Sequence, residues 1–312
     1  MIPIYNKGPH IARSINSVLP HTFQDIELII VNDASTDNSL EEVAKFSGPR
    51  ISLYHREKPG PGDYAARNLG IEKAKAEWIA FLDADDEWMP RHLESYFEFI
   101  DTHADINMFG CGWLYEQKGI ISTDRYYNAH KQKGNHVLNI VQYLKNFARP
   151  GYYFPHTSTA CIRKHLLKEA GGFPEGIMQR GGDLDTWLRC ALLARQVGWS
   201  SHIGGIYHKD SVNMVTQTAT ACPKIIKSRT EMILINVDSP AERNLLKQIH
   251  NGRIISCFKS QIMKNTKFPI HKFLFFESNP LRFVFWSAIS LFPETLIIKL
   301  TKIRKAFRTL FC

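Results

Sequence analysis

The sequence predicts an α/β fold with a mostly parallel sheet, on three observations. Short apolar runs rich in β-branched residues alternate with helical segments over the first third of the chain. These runs are continuously apolar, which is typical of parallel strands covered by helices on both faces. Hydrophobic residues make up 44% of the 312 residues, which is enough for a large core. Because strands that alternate with helices form βαβ units, we expect a parallel sheet flanked by helices.

The first part of the chain supplies three strands and three helices to this fold. The predicted strands cover residues 26–31 (IELIIV), 51–55 and 78–82. The predicted helices cover residues 9–19, 39–46 and 64–75. Pro9 suits the first turn of its helix, and Asp37 suits the N-cap of the next one.

The rest of the chain is less regular. Residues 111–155 are expected to form loops and a helix that cover a site, and residues 183–197 show helical spacing. After about residue 213 the pattern predicts helices without strands. We therefore expect one α/β domain over residues 1–215 and a helical extension over residues 216–312.

The chain carries a formal net charge of +9, which is compatible with an anionic membrane, nucleic acid or a phosphorylated substrate as a partner. No apolar run reaches the roughly 20 residues that a spanning helix needs. At the C-terminus, however, apolar residues recur at helical spacing among basic ones, with no acid after Glu294. The apolar residues are Leu296, Leu300, Ile303, Phe307 and Leu310, and the basic residues are Lys299, Lys302, Arg304, Lys305 and Arg308.

Such a basic amphipathic segment is typical of a helix that lies in the headgroup plane of an anionic membrane. The alternative is a helix pair packed on the protein's own core. Because this segment accounts for the excess positive charge, nucleic acid is not expected as a partner.

The cysteines and the N-terminus bear on the compartment. The six cysteines are scattered, without a pair or a Cys/His cluster at zinc spacing, which favours a reducing compartment. The opening residues MIPIYNKG lack the pattern of a signal peptide. They look like the end of a strand, so we expect the natural protein to begin upstream of Met1.

An acidic stretch follows the strand predicted over residues 78–82. It contains Asp83, Asp85, Asp86 and Glu87 within FLDADDEW. Carboxylates this close repel one another unless a cation neutralises them, and oxygen ligands suit Mg²⁺ or Mn²⁺. The alternative is that these acids cap the helix that begins near Pro90.

Two further polar positions are expected near this acidic stretch. Asp33 follows the strand over residues 26–31, and ligands bind beyond the carboxyl ends of such strands. Its alternative role is an Asx turn. Arg67 lies on the helix before the acidic strand and suits a diphosphate, although a surface arginine is the simpler interpretation.

Five segments, taken together, resemble the family 2 glycosyltransferases. They are IPIYNKGPHIARSINSVL, IELIIVNDASTDNS, AARNLGIEKAKAEWIAFLDADDEWMP, TACIRKHLLKEAGGFPEG and GGDLDTWLRCA. The resemblance runs from residue 1 to about residue 213. It implies the glycosyltransferase-A fold, in which a Rossmann-like sheet binds a nucleotide-sugar.

The resemblance also implies roles for individual residues in binding the donor. The nucleotide pocket would be lined by Ile4, Tyr5 and Asn6. Asp33 would contact the base, and Arg67 would lie near the diphosphate. Asp83 would contact the ribose or a metal-bound water, while Asp85 would hold Mn²⁺ or Mg²⁺, which acts as a Lewis acid on the departing nucleoside diphosphate.

The acceptor half of the resemblance is centred on Asp183, which matches the family's general base. It would take the proton from an acceptor hydroxyl in a single inverting displacement. Many relatives have Glu-Asp where this chain has Gly182-Asp183, and Asp185 is the second candidate. An N-cap is the simpler role for Asp183. Farther on, His208 and Asp210 stand where relatives have an arginine and a histidine.

The resemblance thus implies an inverting glycosyltransferase of the bacterial polysaccharide type. It would move a sugar from a nucleotide-diphosphate sugar, expected to be a UDP-sugar, to a glycan or lipid-linked glycan acceptor in cell-surface polysaccharide synthesis. Its expected location is cytoplasmic, peripheral at the inner face of the cell membrane.

Three alternatives differ from this interpretation. A haloacid-dehalogenase-like phosphatase also has a strand that ends in D-x-D, but it needs Gly and Thr or Val where this chain has Asp86 and Glu87. A nucleotidyltransferase needs a Gly-rich phosphate loop after its first strand, and IPIYNKGPH is a poor one. A catalytically degenerate module would bind the nucleotide-sugar without transferring it.

Overall fold

The structure is a computed structural model that describes residues 1–264 and 266–298. Its strands are β1 (Ile2–Ile4), β2 (Leu28–Asn32), β3 (Ile51–His55), β4 (Trp78–Ala80), β5 (Glu87–Trp88), β6 (Met108–Gln117), β7 (Ile120–Thr123), β8 (His136–Asn139), β9 (Cys161–Arg163) and β10 (Gln196–His208). Its helices are α1 (Gly8–Val18), α2 (Ser39–Ala44), α3 (Tyr64–Lys73), α4 (His92–Thr102), α5 (Arg125–His130), α6 (Ile140–Phe147), α7 (Lys164–Glu169), α8 (Gly182–Ala194), α9 (Val215–Thr218), α10 (Pro223–Ile235), α11 (Pro240–Ile262) and α12 (Pro280–Ile289). The α/β fold predicted from the sequence is confirmed.

The first three strands form the parallel part of the sheet. β1 pairs with β2, and β2 pairs with β3, in both cases in parallel. The apolar residues of β1 and β2 are almost completely buried. Ile11, Ile15 and Val18 of α1 recur at helical spacing and join the same hydrophobic cluster. The continuous apolar runs of the sequence therefore reflect strands covered on both faces.

The remaining strands form a mixed sheet in the order β4-β9-β6-β10-β5, with β7 beside β6 and β8 beside β10. Here β6 and β10 are parallel, and the other pairings are antiparallel. Hydrogen bonds join the two parts of the sheet, because the Met1 amine donates to the Ala80 carbonyl at 2.6 Å and Leu82 N donates to the Met1 carbonyl at 3.1 Å. The ends of β1, β2 and β4 thus lie along one edge.

The segment expected to be loops and a helix contains much more regular structure. Residues 111–155 hold most of β6, all of β7 and β8, and the helices α5 and α6. Two glycines interrupt the apolar sequence pattern that would predict β6 as a strand. A Cβ at Gly112 would lie 2.5 Å from the Tyr127 ring, and a Cβ at Gly110 would lie 2.8 Å from the Pro155 side chain. These glycines are therefore required by close packing on the strand, although they weaken its pattern.

The loop after β2 holds α1 and α2 together. Asn38, not Asp37, is the N-cap of α2. The Asp37 carboxylate accepts from the Ser39 and Gly8 amides, both at 3.0 Å, so it bonds the first turns of both helices. Burial opposes the charge of Asp37, but hydrogen bonds from Ser39 and Gly8 lower its pKa overall. This contact fixes the position of the β1–α1 loop.

The chain divides into two compact units, Met1–Ala219 and Thr220–Cys312. The second unit is helical over its described residues, and the Ser239 hydroxyl caps its longest helix, α11. Among residues 1–264 and 266–298, no helix combines the length and the apolar character that crossing a bilayer requires. Apart from Leu296, which is half-exposed, the residues of the predicted basic amphipathic stripe lie outside the described residues.

Candidate functional site

The acidic turn after β4 holds its three aspartates in different environments. Asp86 is fully buried; it accepts from the Ser158 hydroxyl, and from the His208 amide at 3.2 Å. Burial, together with the charges of Asp85 and Asp83, raises the pKa of Asp86 well above its usual range. Asp86 therefore ties the turn to β10, and the other two aspartates face the crevice at the end of the sheet.

Arg67 of α3 neutralises one side of the crevice. Its guanidinium donates to Asp83 at 2.6 Å and to Asp63 at 3.4 Å, and it is only 4% exposed. Burial opposes the charge, but Asp83 and Asp63 raise the pKa of Arg67 above its usual value. The arginine thus stays charged beside the acidic turn.

Lys7 neutralises the other side. Its Nζ lies 2.6 Å from Asp85 Oδ2 and donates to the Val212 carbonyl at 2.9 Å. The Asn213 amide group donates to the Asn6 carbonyl at 3.3 Å, which adds a second bond between the β1–α1 loop and residues 212–213. The Lys7 ammonium group therefore forms an ion pair with Asp85, the carboxylate that is predicted from the sequence to bind a metal ion.

Asp33 lies at the end of β2 and is 2% exposed. Its carboxylate forms an ion pair with Arg56, and its other oxygen accepts from the Gly60 amide at 3.0 Å. Both partners belong to the β3–α3 loop. The contacts hold that loop against the end of β2, at the same edge of the sheet as the acidic turn.

The three residues predicted to line the nucleotide pocket have different surroundings. The Ile4 side chain is fully buried in the core, and its carbonyl accepts from the Asp33 amide at 2.8 Å. Tyr5 is 40% exposed. Asn6 has a φ of 51° and accepts from the Thr36 amide at 2.8 Å. Of these three residues, only Tyr5 lines the cavity of the crevice.

A cavity of about 120 Å³ opens between these elements. It is lined by Pro3, Tyr5, Lys7, Asp63, Asp83, Ala84, Asp85, Tyr207, Asn213, Met214 and Val215. Ligand pockets usually measure about 300–1,000 Å³. The cavity is therefore smaller than a typical ligand pocket, and the loop after β10, which forms part of its lining, is bonded to Lys7.

Asp183 and Asp185 lie in the first turn of α8 but differ in role. Gly181, with a φ of 77°, is the N-cap, so Asp183 is not the cap. Asp183 Oδ2 accepts from the Thr157 hydroxyl at 3.2 Å. Asp185 is fully buried and forms an ion pair with Arg189 at 2.9 Å. Of the two candidates, Asp183 is the one with access to a substrate.

His156 is a residue of this region that was not predicted from the sequence. Its Nδ1 accepts from the Ser158 amide at 3.3 Å, so the proton of the neutral ring is on Nε2. Burial lowers the pKa of His156, while the charges of Asp83, Asp183 and Asp85 oppose that shift. The residues that follow His156 connect the two acidic regions, because Thr157 donates to Asp183 at 3.2 Å and the Ser158 hydroxyl donates to Asp86.

Asp63, the N-cap residue of α3, was also missed. Burial raises its pKa to about 6; Arg67 opposes this, whereas Asp83 and Asp85 add to it. Its spacing from Arg67, four residues along a helix, is the signal that could have revealed it. The crevice therefore contains one more carboxyl group than the sequence predicts.

His208, at the end of β10, lies between two carboxylates. Its Nδ1 is 3.1 Å from Glu116, and its Nε2 is 2.7 Å from Glu87. The ligand atoms of Glu116, His208 and Asp210 lie within 4.8 Å of one another, close enough to share a metal ion. This group is separate from the Asp83–Asp85 pair predicted to bind metal.

Comparison with known proteins agrees with this geometry. The family model described as "Glycosyl transferase family 2" matches residues 1–169, more than half of the chain. The chain belongs to glycosyl transferase family 2. This membership rules out the two alternatives in which the chain is a haloacid-dehalogenase-like phosphatase or a nucleotidyltransferase.

Similar sequences are also named as glycosyltransferases, but they match over limited lengths. An uncharacterized glycosyltransferase, YibD, of Escherichia coli K12 is 35% identical over 133 residues, which cover 40% of this chain and 38% of that protein. Glycosyltransferase GlyG of Streptococcus pneumoniae is 31% identical over 137 residues, covering 43% and 40%. The matched regions thus span less than half of each relative.

Solved structures show the same fold at low sequence identity. TarS 1–349 of S. aureus, in complex with UDP-GlcNAc, superposes with a TM-score of 0.71 at 19% identity, over 85% of this chain and 75% of that one. Mannosyltransferase PcManGT of Pyrobaculum calidifontis, in complex with GDP-Man and Mn²⁺, gives 0.58 at 15% identity, over 97% and 85%. These likenesses support the glycosyltransferase-A fold.

The raised pKa of Asp63 predicts a pH-dependent effect of Asp63→Asn. Folded protein holds this proton up to about pH 6, but the unfolded chain releases it near the ordinary value of 3.8. The wild type therefore loses stability as pH rises through this window, and the asparagine variant does not. The melting temperature of the variant relative to wild type should rise between pH 4 and pH 6.5 and then level off.

Asp25→Asn is the matched control, because Asp25 is exposed. Its melting temperature relative to wild type should stay constant over the same range. A flat difference for Asp63→Asn would show that Asp63 ionises in the folded protein as it does in the unfolded chain.

Proposed function

We propose that this chain is a metal-dependent inverting glycosyltransferase, with a catalytic domain over residues 1–215 and a helical extension over residues 216–312. The observation that carries the proposal is the crevice at the end of the sheet. There the carboxylates Asp83 and Asp85 face the cations Arg67 and Lys7, at 2.6 Å in each pair. The carboxylates suit a divalent cation, and the guanidinium suits a diphosphate.

The chemistry of the donor set fits Mn²⁺ or Mg²⁺, because both are hard cations that prefer carboxylate oxygens. We assign Asp85 as the direct ligand and Asp83 as the partner of the ribose or of a metal-bound water. The Lys7 ammonium on Asp85 supports this assignment, since it shows that the carboxylate accepts a cation at this point. When bound, the metal would supply charge neutralisation and Lewis acidity at the leaving diphosphate.

The donor would lie across the ends of β1, β2 and β4. Asp33 would accept from the nucleobase through the lone pairs left free by Arg56 and Gly60. Tyr5 and Asn6 would contact the nucleoside, with Ile4 supporting them from the core. Arg67 would meet the diphosphate. A UDP-sugar is the proposed donor, in line with the TarS complexes with UDP-GlcNAc and with UDP.

Asp183 would act as the general base. Its carboxylate would take the proton of an acceptor hydroxyl as that oxygen attacks the anomeric carbon. The bond from that carbon to the phosphate oxygen breaks in the same step, and the nucleoside diphosphate leaves with the bonding electrons. One displacement inverts the configuration. The Thr157 hydroxyl, 3.2 Å from Asp183, would orient the carboxylate.

The proposed acceptor is a glycan or lipid-linked glycan of cell-surface polysaccharide synthesis. An enzyme with such an acceptor works beside the membrane. We therefore propose a cytoplasmic protein, peripheral at the inner face, held by its basic C-terminal segment. A binding module without catalysis is the alternative, and it predicts donor binding without release of nucleoside diphosphate.

Asp85→Asn tests the metal assignment. The amide removes the charge that attracts the cation, so Mn²⁺-dependent UDP affinity should fall at least tenfold, with the melting temperature close to that of wild type. Calorimetric titration of UDP with MnCl₂ and with EDTA measures the difference.

His208→Ala is the control for that titration, because His208 belongs to the other group of ligands. It should retain most of the Mn²⁺ effect. If Asp85→Asn binds like wild type and His208→Ala does not, the metal assignment to Asp85 is wrong and Glu116, His208 and Asp210 hold the ion.

Asp183→Asn tests the base. The isosteric amide cannot accept the proton, so UDP release from a UDP-sugar should fall by about 100-fold or more, with UDP affinity unchanged. Asp185→Asn provides the contrast. It should lower the melting temperature by disrupting the buried pair with Arg189. Unchanged turnover in Asp183→Asn would remove this residue from catalysis.

A further inference from the structure

A second concave site lies on the segment between Asp124 and Glu169. It is a cavity of about 470 Å³ formed by α5, β8 and α6. The side chains that define it here, called the basic cleft, are His130, Lys133, His136, Lys145 and Arg149. None of the roles proposed above uses these residues.

The basic cleft has no counter-charge. No Asp or Glu occurs between Asp124 and Glu169, and none lines the cavity. The part of β10 that pairs with β8, residues 196–199, also contains no acid. Within residues 1–264 and 266–298, neither Lys133 nor Lys145 forms an ion pair with a carboxylate. The positive charge is therefore free to attract an anion.

The histidines of the cleft are held in fixed orientations. His130 Nδ1 is 2.9 Å from the Tyr126 carbonyl, and its ring stacks on Tyr126 at 4.1 Å. His136 Nδ1 is 2.9 Å from the Gly134 carbonyl. Burial lowers the pKa of His136, and the nearby His130 and Lys133 lower it further. The contacts of Nδ1 thus hold both imidazole rings in place, and the positive charge of the cleft comes from Lys133, Lys145 and Arg149.

A series of contacts connects the basic cleft with the proposed base, Asp183. Asp124 caps α5 and accepts from the Trp113 amide at 3.0 Å. The Trp113 ring lies 5.3 Å from His156, and the adjacent Thr157 donates to Asp183. The basic cleft thus belongs to the same compact unit as the crevice, and a chain of contacts joins α5 to Asp183.

We propose that the basic cleft binds a phosphate group carried by the acceptor. This inference rests on the proposed transferase function, in which the donor diphosphate already has its place beside Arg67. A cavity of this size accommodates a phosphate with its attached sugar. Its concave shape and its basic side chains are suited to such a group and not to a flat bilayer surface. The acceptor class is therefore a phosphate-bearing glycan or a glycan on a lipid phosphate.

The test compares wild type with a cleft variant that carries Lys133→Gln, Lys145→Gln and Arg149→Gln. The control carries Lys58→Gln, Lys75→Gln and Lys168→Gln, which remove the same charge from exposed positions outside the cleft. All six side chains are exposed, so the variants should fold. The probe is glucose 1-phosphate, titrated by calorimetry at low salt with EDTA, which removes the divalent cation through which the carboxylates of the crevice would hold a phosphate.

Wild type should bind the probe, the cleft variant at least tenfold more weakly, and the control within twofold of wild type. Glucose should not bind to the cleft. Failure of wild type to bind glucose 1-phosphate, or equal losses in both variants, would overturn the inference. UDP affinity with Mn²⁺ should be the same in all three proteins. If wild type fails to bind UDP, the proposed donor site fails, whatever the cleft binds.

Phosphatidylglycerol vesicles supply the second arm. Wild type and the cleft variant should co-sediment with them equally, because the basic cleft is assigned to the acceptor. If only the cleft variant loses vesicle binding, the basic cleft binds the membrane surface and not the acceptor, which would contradict the proposal.

Discussion

The structure of the crevice depends on how closely packed carboxylates are kept from repelling one another. Asp33, Asp63, Asp83, Asp85 and Asp86 gather where strands end and helices begin. Three cations come to them from other parts of the chain: Arg56, Arg67 and Lys7. An isolated buried carboxylate would cost several kcal/mol, so each acid must be paired or protonated.

The chain uses both solutions: Asp33, Asp83 and Asp85 are paired with cations, and Asp86 has a raised pKa. Asp86 is buried completely, with a raised pKa, and holds the acidic turn to β10. Asp33 is paired with Arg56 and holds a loop. Asp83 and Asp85 are paired with side chains that a ligand can displace or join. Asp86, which holds the acidic turn, is thus sealed in the fold, whereas Asp83 and Asp85, which are assigned to the metal, line the cavity.

The early part of the chain was predictable because its signals are local. The strand over residues 51–55 was predicted with its observed bounds, and Asp33 and Asp83 were expected at strand ends because the apolar runs stop just before them. β6 was missed, since Gly110 and Gly112 break its pattern for packing reasons that only the tertiary structure reveals. His156 was missed for a similar reason: its environment is built from three separate segments. The roles of these residues stay predictions that the variants above test.

Lys7 provides the most direct test of the central claim, that the crevice is a cation site occupied in the resting protein by the chain's own ammonium group. Mn²⁺ binding without nucleotide, followed by electron paramagnetic resonance, should be about tenfold tighter in Lys7→Met, a change of about 1.4 kcal/mol. Lys7→Arg keeps the charge and should bind like wild type. Equal or weaker Mn²⁺ binding in Lys7→Met would contradict the claim that Lys7 and the metal compete for Asp85.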